Sequence, residues 1–117
     1  KKLRFDGKII IEVPHANDFL LHNSKEFMKF SLWSEHLILH TYQSLKLFLE
    51  DSSFKDIYIK GIQRYPLSNH LNWLTKGAPE GHKNNFSMIL SNELEDEYCK
   101  SIISANMCDT LMAIASK

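Results

Sequence analysis

The sequence predicts an α+β fold, with a small and mostly antiparallel sheet of about four strands packed against two long helices in the order β-β-(α)-α-β-β-α. Three observations carry that expectation. An Asp6-Gly7 pair sits beside a run of β-branched residues, apolar residues recur at helical spacing over 34–50 and again after Asn92, and short alternating stretches lie at 56–62 and 86–90.

Taken in order, Leu3 to Phe5 and Lys8 to Val13 read as a hairpin, because Asp-Gly supplies the positive φ angles of a two-residue type I′ turn. Ile9, Ile10 and Ile11 in succession suit a strand covered on both faces, and Pro14 ends it by withholding a ladder donor. Asn23 with Glu26 resembles a capping box that starts a helix at Ser24, although Met28, Phe30 and Leu32 also alternate as a strand does. Over 34–50, Trp33, Leu37, Ile38, Leu45, Phe48 and Leu49 recur at helical spacing and mark one broad apolar face, and Asp51-Ser52-Ser53 breaks it. Ile57, Tyr58 and Ile59 form a strand leading to Gly61.

The stretch 67–84 is rich in turn residues, with one short helical turn expected after Ser68. Phe86 to Leu90 alternates as a fourth strand. Asn92 followed by Glu95 then caps a last helix running to about Ser116. No repeat or low-complexity tract divides residues 1–117, which read as one domain.

Composition narrows the function classes. The 117 residues carry 14 basic and 14 acidic side chains and 44% apolar residues, a balance typical of a globular chain. A chain of this size buries roughly two thirds of its unfolded surface, so neither a disulfide framework nor a structural metal is required. Zero net charge argues against a general nucleic-acid coat, whose affinity comes from neutralising phosphates. Zero is also a sum over separated patches: Lys1, Lys2, Arg4 and Lys8 at one end, and Glu93, Glu95, Asp96 and Glu97 in the first turns of the last helix, where acids meet the positive end of its dipole. Two cysteines, no apolar run long enough for a membrane span and a strand-like start point to a cytoplasmic setting. Cys99 and Cys108 would share the last helix half a turn out of phase, unable to bridge.

No assembled catalytic signature is present. His36 and His40 are four apart on one predicted helix, a spacing that lets two imidazoles share a zinc ion. Glu35 precedes His36 instead of following it, so the zinc-protease pattern is absent. His15, His22, His70 and His82 show no ligand-like pairing, and neither metal nor cofactor is expected. The 76–83 stretch has two glycines without the spacing of a phosphate loop.

The long 67–84 connection offers His70, Trp73, Lys76 and His82 as contacts to a partner, unless Leu71, Trp73 and Leu74 tuck it against the sheet. On the last helix a second stripe, Ile103, Met107, Leu111 and Ile114, would make a helix apolar on both sides and suit a homodimer or a second partner. These features predict a non-enzymatic protein-binding module, most concretely a small inhibitor, an immunity- or antitoxin-like protein or an adaptor. The alternative is a small hydrolase or nuclease using His36 and His40, with Glu35.

Overall fold

The computed structural model describes residues 3–4, 6–32, 36–83, 86 and 90–117. In chain order the elements are β1 (Lys8–Pro14), α1 (Phe19–Asn23), α2 (Lys25–Ser31), α3 (Tyr42–Asp51), β2 (Lys55–Ile62), α4 (Leu67–Lys76), a 3-10 turn at Gly81–Lys83, α5 (Asn92–Ser104) and β3 (Thr110–Ser116). The sheet order is β1-β3-β2, and β3 runs antiparallel to both neighbours, so β1 and β2 are parallel to each other. The chain is α+β. However, the described residues hold three strands and five α-helices, not about four strands with two long helices.

Each departure from expectation has a local cause. The Asp6-Gly7 turn closes, with Gly7 N donating to Arg4 O at 3.0 Å, but the strand after it pairs with β3 in the register Lys8↔Ser116 to Pro14↔Thr110. The predicted partner strand at 3–5 is not in the sheet; Phe5 itself lies outside the described residues. Within the predicted 34–50 helix, residues 36–41 are not helical, because a stronger start signal lies downstream. Thr41 Oγ1 accepts from Ser44 N at 3.1 Å while Ser44 Oγ accepts from Thr41 N at 2.9 Å, a reciprocal cap that begins α3.

The 67–84 stretch holds the ten-residue α4 rather than one turn. Pro66 precedes it, and Gly77, at φ 62°, ends it in the left-handed conformation. The last helix stops at Ser104, and Asn106 at φ 59° turns the chain into β3. Leu111 to Ala115 are tolerable helix formers, yet pairing on both sides makes them the central strand, an instance of tertiary context overriding propensity. The proposed stripe is therefore split: Ile103 is on α5, Met107 in the turn, and Leu111 and Ile114 on opposite faces of β3. Cys99 is on α5, Cys108 is not, and both are free thiols. Of the fourth strand expected at 86–90, residues 87–89 lie outside the described residues, and Phe86 is in a 3-10 conformation.

One face of the sheet carries the core. Leu45 and Leu49 of α3 pack on Leu111, Ala113 and Ala115 of β3, flanked by Ile9, Ile11, Val13, Ile57 and Ile59. Small alanines let α3 approach closely. Gly61 matters here too, because a Cβ there would come within 2.5 Å of Cys108 Sγ and 2.7 Å of Tyr42 Oη. The opposite face is open: Ile10 is 66% and Tyr58 60% exposed, on either side of Ile114 in the register. No helix among the described residues is long and apolar enough to cross a membrane.

Leu111 is fully buried at the centre of this core. Leu111→Ala is expected to lower unfolding free energy by about 2–5 kcal/mol, the range for a leucine cavity in a packed interior. A urea titration followed by circular dichroism measures it, and a loss under about 0.5 kcal/mol would mean that the position is peripheral.

Candidate functional site

A cavity of about 370 Å³ opens where β1 and β2 end and β3 begins. Its wall takes Glu12, Pro14 and His15 from the end of β1, Arg64 and Tyr65 from beyond β2, and Asp109 and Thr110 from the start of β3. Asp18 and Leu21 come from the α1 region, Phe27 and Phe30 from α2, and Asn69 and Trp73 from α4. This is where the parallel strands present their carboxyl ends, the side on which open α/β sheets hold their ligands.

The short segment 107–109 holds the cavity floor together. Its backbone accepts from β1's continuation: Phe19 N to Met107 O at 3.0 Å, His15 N to Asp109 O at 2.9 Å and His15 Nδ1 to Cys108 O at 2.9 Å. The Asp109 carboxylate accepts from β2's continuation, from Arg64 N at 3.0 Å, Tyr65 N at 3.0 Å and the Gln63 side-chain amide at 2.9 Å. That amide also faces His70 Nε2 at 3.1 Å, which leaves Nδ1 to donate to Tyr98 Oη at 2.6 Å. Burial, with no compensating anion, pushes His70 down to about 4, so it is neutral at physiological pH. The Arg64 guanidinium pairs with the Glu12 carboxylate at the rim.

Asp18 is 4% exposed and caps α1 by accepting from Leu20 N at 2.7 Å. Burial pushes it up to about 6, partly opposed by its bond to Leu20 N and reinforced by Asp109. His15 is fully buried. A carbonyl oxygen only accepts, so the bond to Cys108 O fixes the proton on Nδ1 and leaves Nε2 as a lone pair without a hydrogen-bond partner among the described residues. Burial also lowers the His15 pKa. The apolar wall is aromatic, with Trp73 edge-on to Phe27 at 5.1 Å between centroids and 5.2 Å from Phe30.

The sequence-derived candidates are distributed unevenly. Trp73 is buried and faces the cavity, and His70 is buried behind it, so neither offers a solvent-facing anchor. Lys76 is exposed at the end of α4, and the side chain of His82 lies outside the described residues. His36 lines the cavity, whereas His40 is outside it, against Ser44 Oγ at 3.2 Å and the Phe48 ring, and Glu35 lies outside the described residues. Among the described residues no three His, Cys, Asp or Glu side chains converge as a metal site.

Sequence reasoning missed His15, Asp18 and Asp109. Only Asp18 carried a local signal, as a helix-capping residue before Phe19-Leu20-Leu21. The acidic run in the first turns of α5 has a packing role besides its dipole role, because Glu95 Oε2 accepts from Leu67 N at 2.8 Å and caps α4.

No family model and no curated protein matches the chain. A solved structure, a SAM-dependent methyltransferase from Archaeoglobus fulgidus, is similar to it at 20% identity and a TM-score of 0.50. The match covers 99% of this chain and 47% of that one, so the chain spans about half the length of the solved protein. The likeness is one of fold. It is a likeness to the fold of a methyltransferase and not to a protein-binding inhibitor, so it corrects the expectation of an inhibitor, immunity- or antitoxin-like module.

Asp18 and His70 make opposite demands on stability. Between 3.8 and about 6 the folded chain holds a proton on Asp18 that the unfolded chain has released, so this group's contribution falls as pH rises through that window. Between about 4 and 6.5 the unfolded chain holds one on His70 that the folded chain lacks, so that contribution rises. Asp18→Asn keeps a capping side chain and removes the first slope. Relative to the parent it is expected to gain on the order of 3 kcal/mol between pH 4 and pH 7, read from urea midpoints at each pH. Parallel curves for the two proteins would show that Asp18 titrates normally.

Proposed function

We propose that residues 1–117 form the acceptor-binding half of a SAM-dependent methyltransferase, with the cavity at the strand ends as the seat of the molecule to be methylated. The observation that carries this reading is the likeness of 99% of the chain to about half of such an enzyme, with a cavity at the carboxyl ends of its parallel strands.

Two further features support it. Among the described residues the β1 edge away from β3 is paired only at its end, where His40 bridges His15, and the open sheet face exposes Ile10 within the Ile9-Ile10-Ile11 run that a strand covered on both faces would carry. A larger parallel sheet continuing past β1 would use that edge and, with its own helices, cover that face.

The described residues do not by themselves fit a nucleoside-sized methyl donor. Gly7 precedes β1, Gly61 is inside β2, Gly77 ends α4 and Gly81 is in a 3-10 turn, so none lies in a strand-to-helix turn that would let a backbone approach such a group. In the proposal the donor is held by protein outside residues 1–117. These residues contribute the aromatic wall, the carboxylates and the exclusion of water from the acceptor. A cytoplasmic setting belongs to the same proposal, supported by two free cysteines.

The test uses the polypeptide as its natural gene encodes it, incubated with methyl-labelled S-adenosylmethionine and a small-molecule extract of the source cells. Label is expected in a small molecule, reduced at least tenfold by Trp73→Ala. A protein that neither binds the donor nor transfers label sinks the reading.

A further inference from the structure

The chemistry of the cavity wall narrows what enters it. Its fixed charges are three carboxylates, Glu12, Asp18 and Asp109, against the single guanidinium of Arg64. Arg64 is already engaged with Glu12, and Asp109 is saturated by two backbone amides and Gln63. Asp18 is different. Its hydrogen bonding is to the backbone of its own helix start, and no Lys or Arg side chain pairs with it among the described residues. A buried carboxylate without a cation is a costly arrangement unless something supplies the charge.

A second observation is independent of charge. His15 lies in the same wall, three residues before Asp18 in a turn closed by Asp18 N donating to His15 O at 3.1 Å. Its tautomer is set by Cys108 O, and its buried Nε2 is an acceptor without a donor among the described residues. The rest of the wall mixes polar side chains, Ser31, Tyr65, Asn69 and Thr110 among them, with the aromatic face of Phe27, Phe30 and Trp73.

We propose that this cavity binds a protonated amine carried on a ring-sized apolar body, with Asp18 as the counter-ion and the body against Phe27, Phe30 and Trp73. This names the substrate class of the proposed acceptor site and rests on that reading only in taking the cavity as a ligand's seat. The amine is argued from the wall itself. Asp18, raised to about 6 by burial, is ionised at neutral pH and loses its charge below that value. The titratable groups that act on it are Asp109, which raises it, and His22, which lowers it, while Tyr98 is itself raised by Asp18. Amine binding therefore weakens as the pH falls through 6.

Three probes of one shape decide the matter: benzylamine, benzyl alcohol and benzoate, each titrated into the protein and followed by the NMR shifts of the Trp73 indole and the 15–18 backbone amides. Benzylamine is expected to bind at least tenfold more tightly than benzoate at pH 7.5 and more tightly than benzyl alcohol. Its affinity should drop about tenfold at pH 5, where roughly one Asp18 in ten remains ionised. In Asp18→Asn, which retains a capping side chain, the preference for the amine over the alcohol should vanish.

Equal binding of the three probes, tighter binding of benzoate, shifts elsewhere on the molecule, or an unchanged preference in Asp18→Asn would each overturn the proposal. Should that variant not fold, the pH profile of the parent protein decides, and a flat profile counts against it. None of these readouts involves a methyl donor. A protein that binds the amine without transferring methyl groups refutes the enzyme reading alone, and one that transfers methyl groups but prefers benzoate refutes the amine alone.

Discussion

Three residues just before β3 govern the arrangement of the rest. The backbone of Met107, Cys108 and Asp109 takes hydrogen bonds from the chain leaving β1, and the Asp109 carboxylate takes them from the chain leaving β2. Those two strands never touch, because β3 lies between them. The junction is what brings their exits to one place and gives the cavity a floor. A carboxylate suits the task because its two oxygens offer about four lone-pair directions, and here they meet two successive backbone amides and a side-chain amide. The bonding also explains how an acidic side chain that is 7% exposed is tolerated in the interior.

Behind the floor, the network runs from Asp109 through Gln63 to His70 and Tyr98, linking β2's exit to α4 and α5. His70 stacks on Phe19 at 5.8 Å, so the neutral ring serves at once as a spacer between α1 and α4 and as a relay of hydrogen bonds. This makes the floor rigid and leaves the rim, with Arg64 and Glu12, in water. A hydrogen-bonded polar floor under an aromatic wall offers both a polar anchor and an apolar surface to a small molecule, and it is the physical content of the proposed function.

The legible parts of the sequence were those decided by local chemistry. The strand at 55–62, a helix start beside Ser24 and the break at Ser52-Ser53 follow from β-branched runs, caps and turn residues read within a few positions. What could not be read is what depends on partners far along the chain. Met107, Leu111 and Ile114 continue the helical spacing of Ile103, and only pairing with β1 and β2 turns Leu111 and Ile114 into a strand. In the sequence His15 shows no ligand-like pairing, and Asp18 carries no more than the signal of a helix cap. Their role in the cavity wall arises from 107–110 and from α2 and α4, which the sequence places up to about ninety residues away. For Trp73 the sequence leaves an exposed anchor and a tucked side chain both open; it is tucked, and the aromatic neighbours that enclose it come from α2.

The placement of β3 also sets the order in which the molecule is able to assemble. Ile11 faces Ala113 and Ile59 faces the same residue from the other side, so the central pairing joins segments made early and late in synthesis. Closing a loop of that length costs about 4 kcal/mol of chain entropy before any ladder bond repays it. Helix α3, with its local capping box, is able to gain structure first, while β1 and β2 wait for a template. A slow search of this kind, in the millisecond-to-second range typical of non-local sheets, leaves the isoleucines of β1 uncovered on the nascent chain until residues 110–116 have emerged.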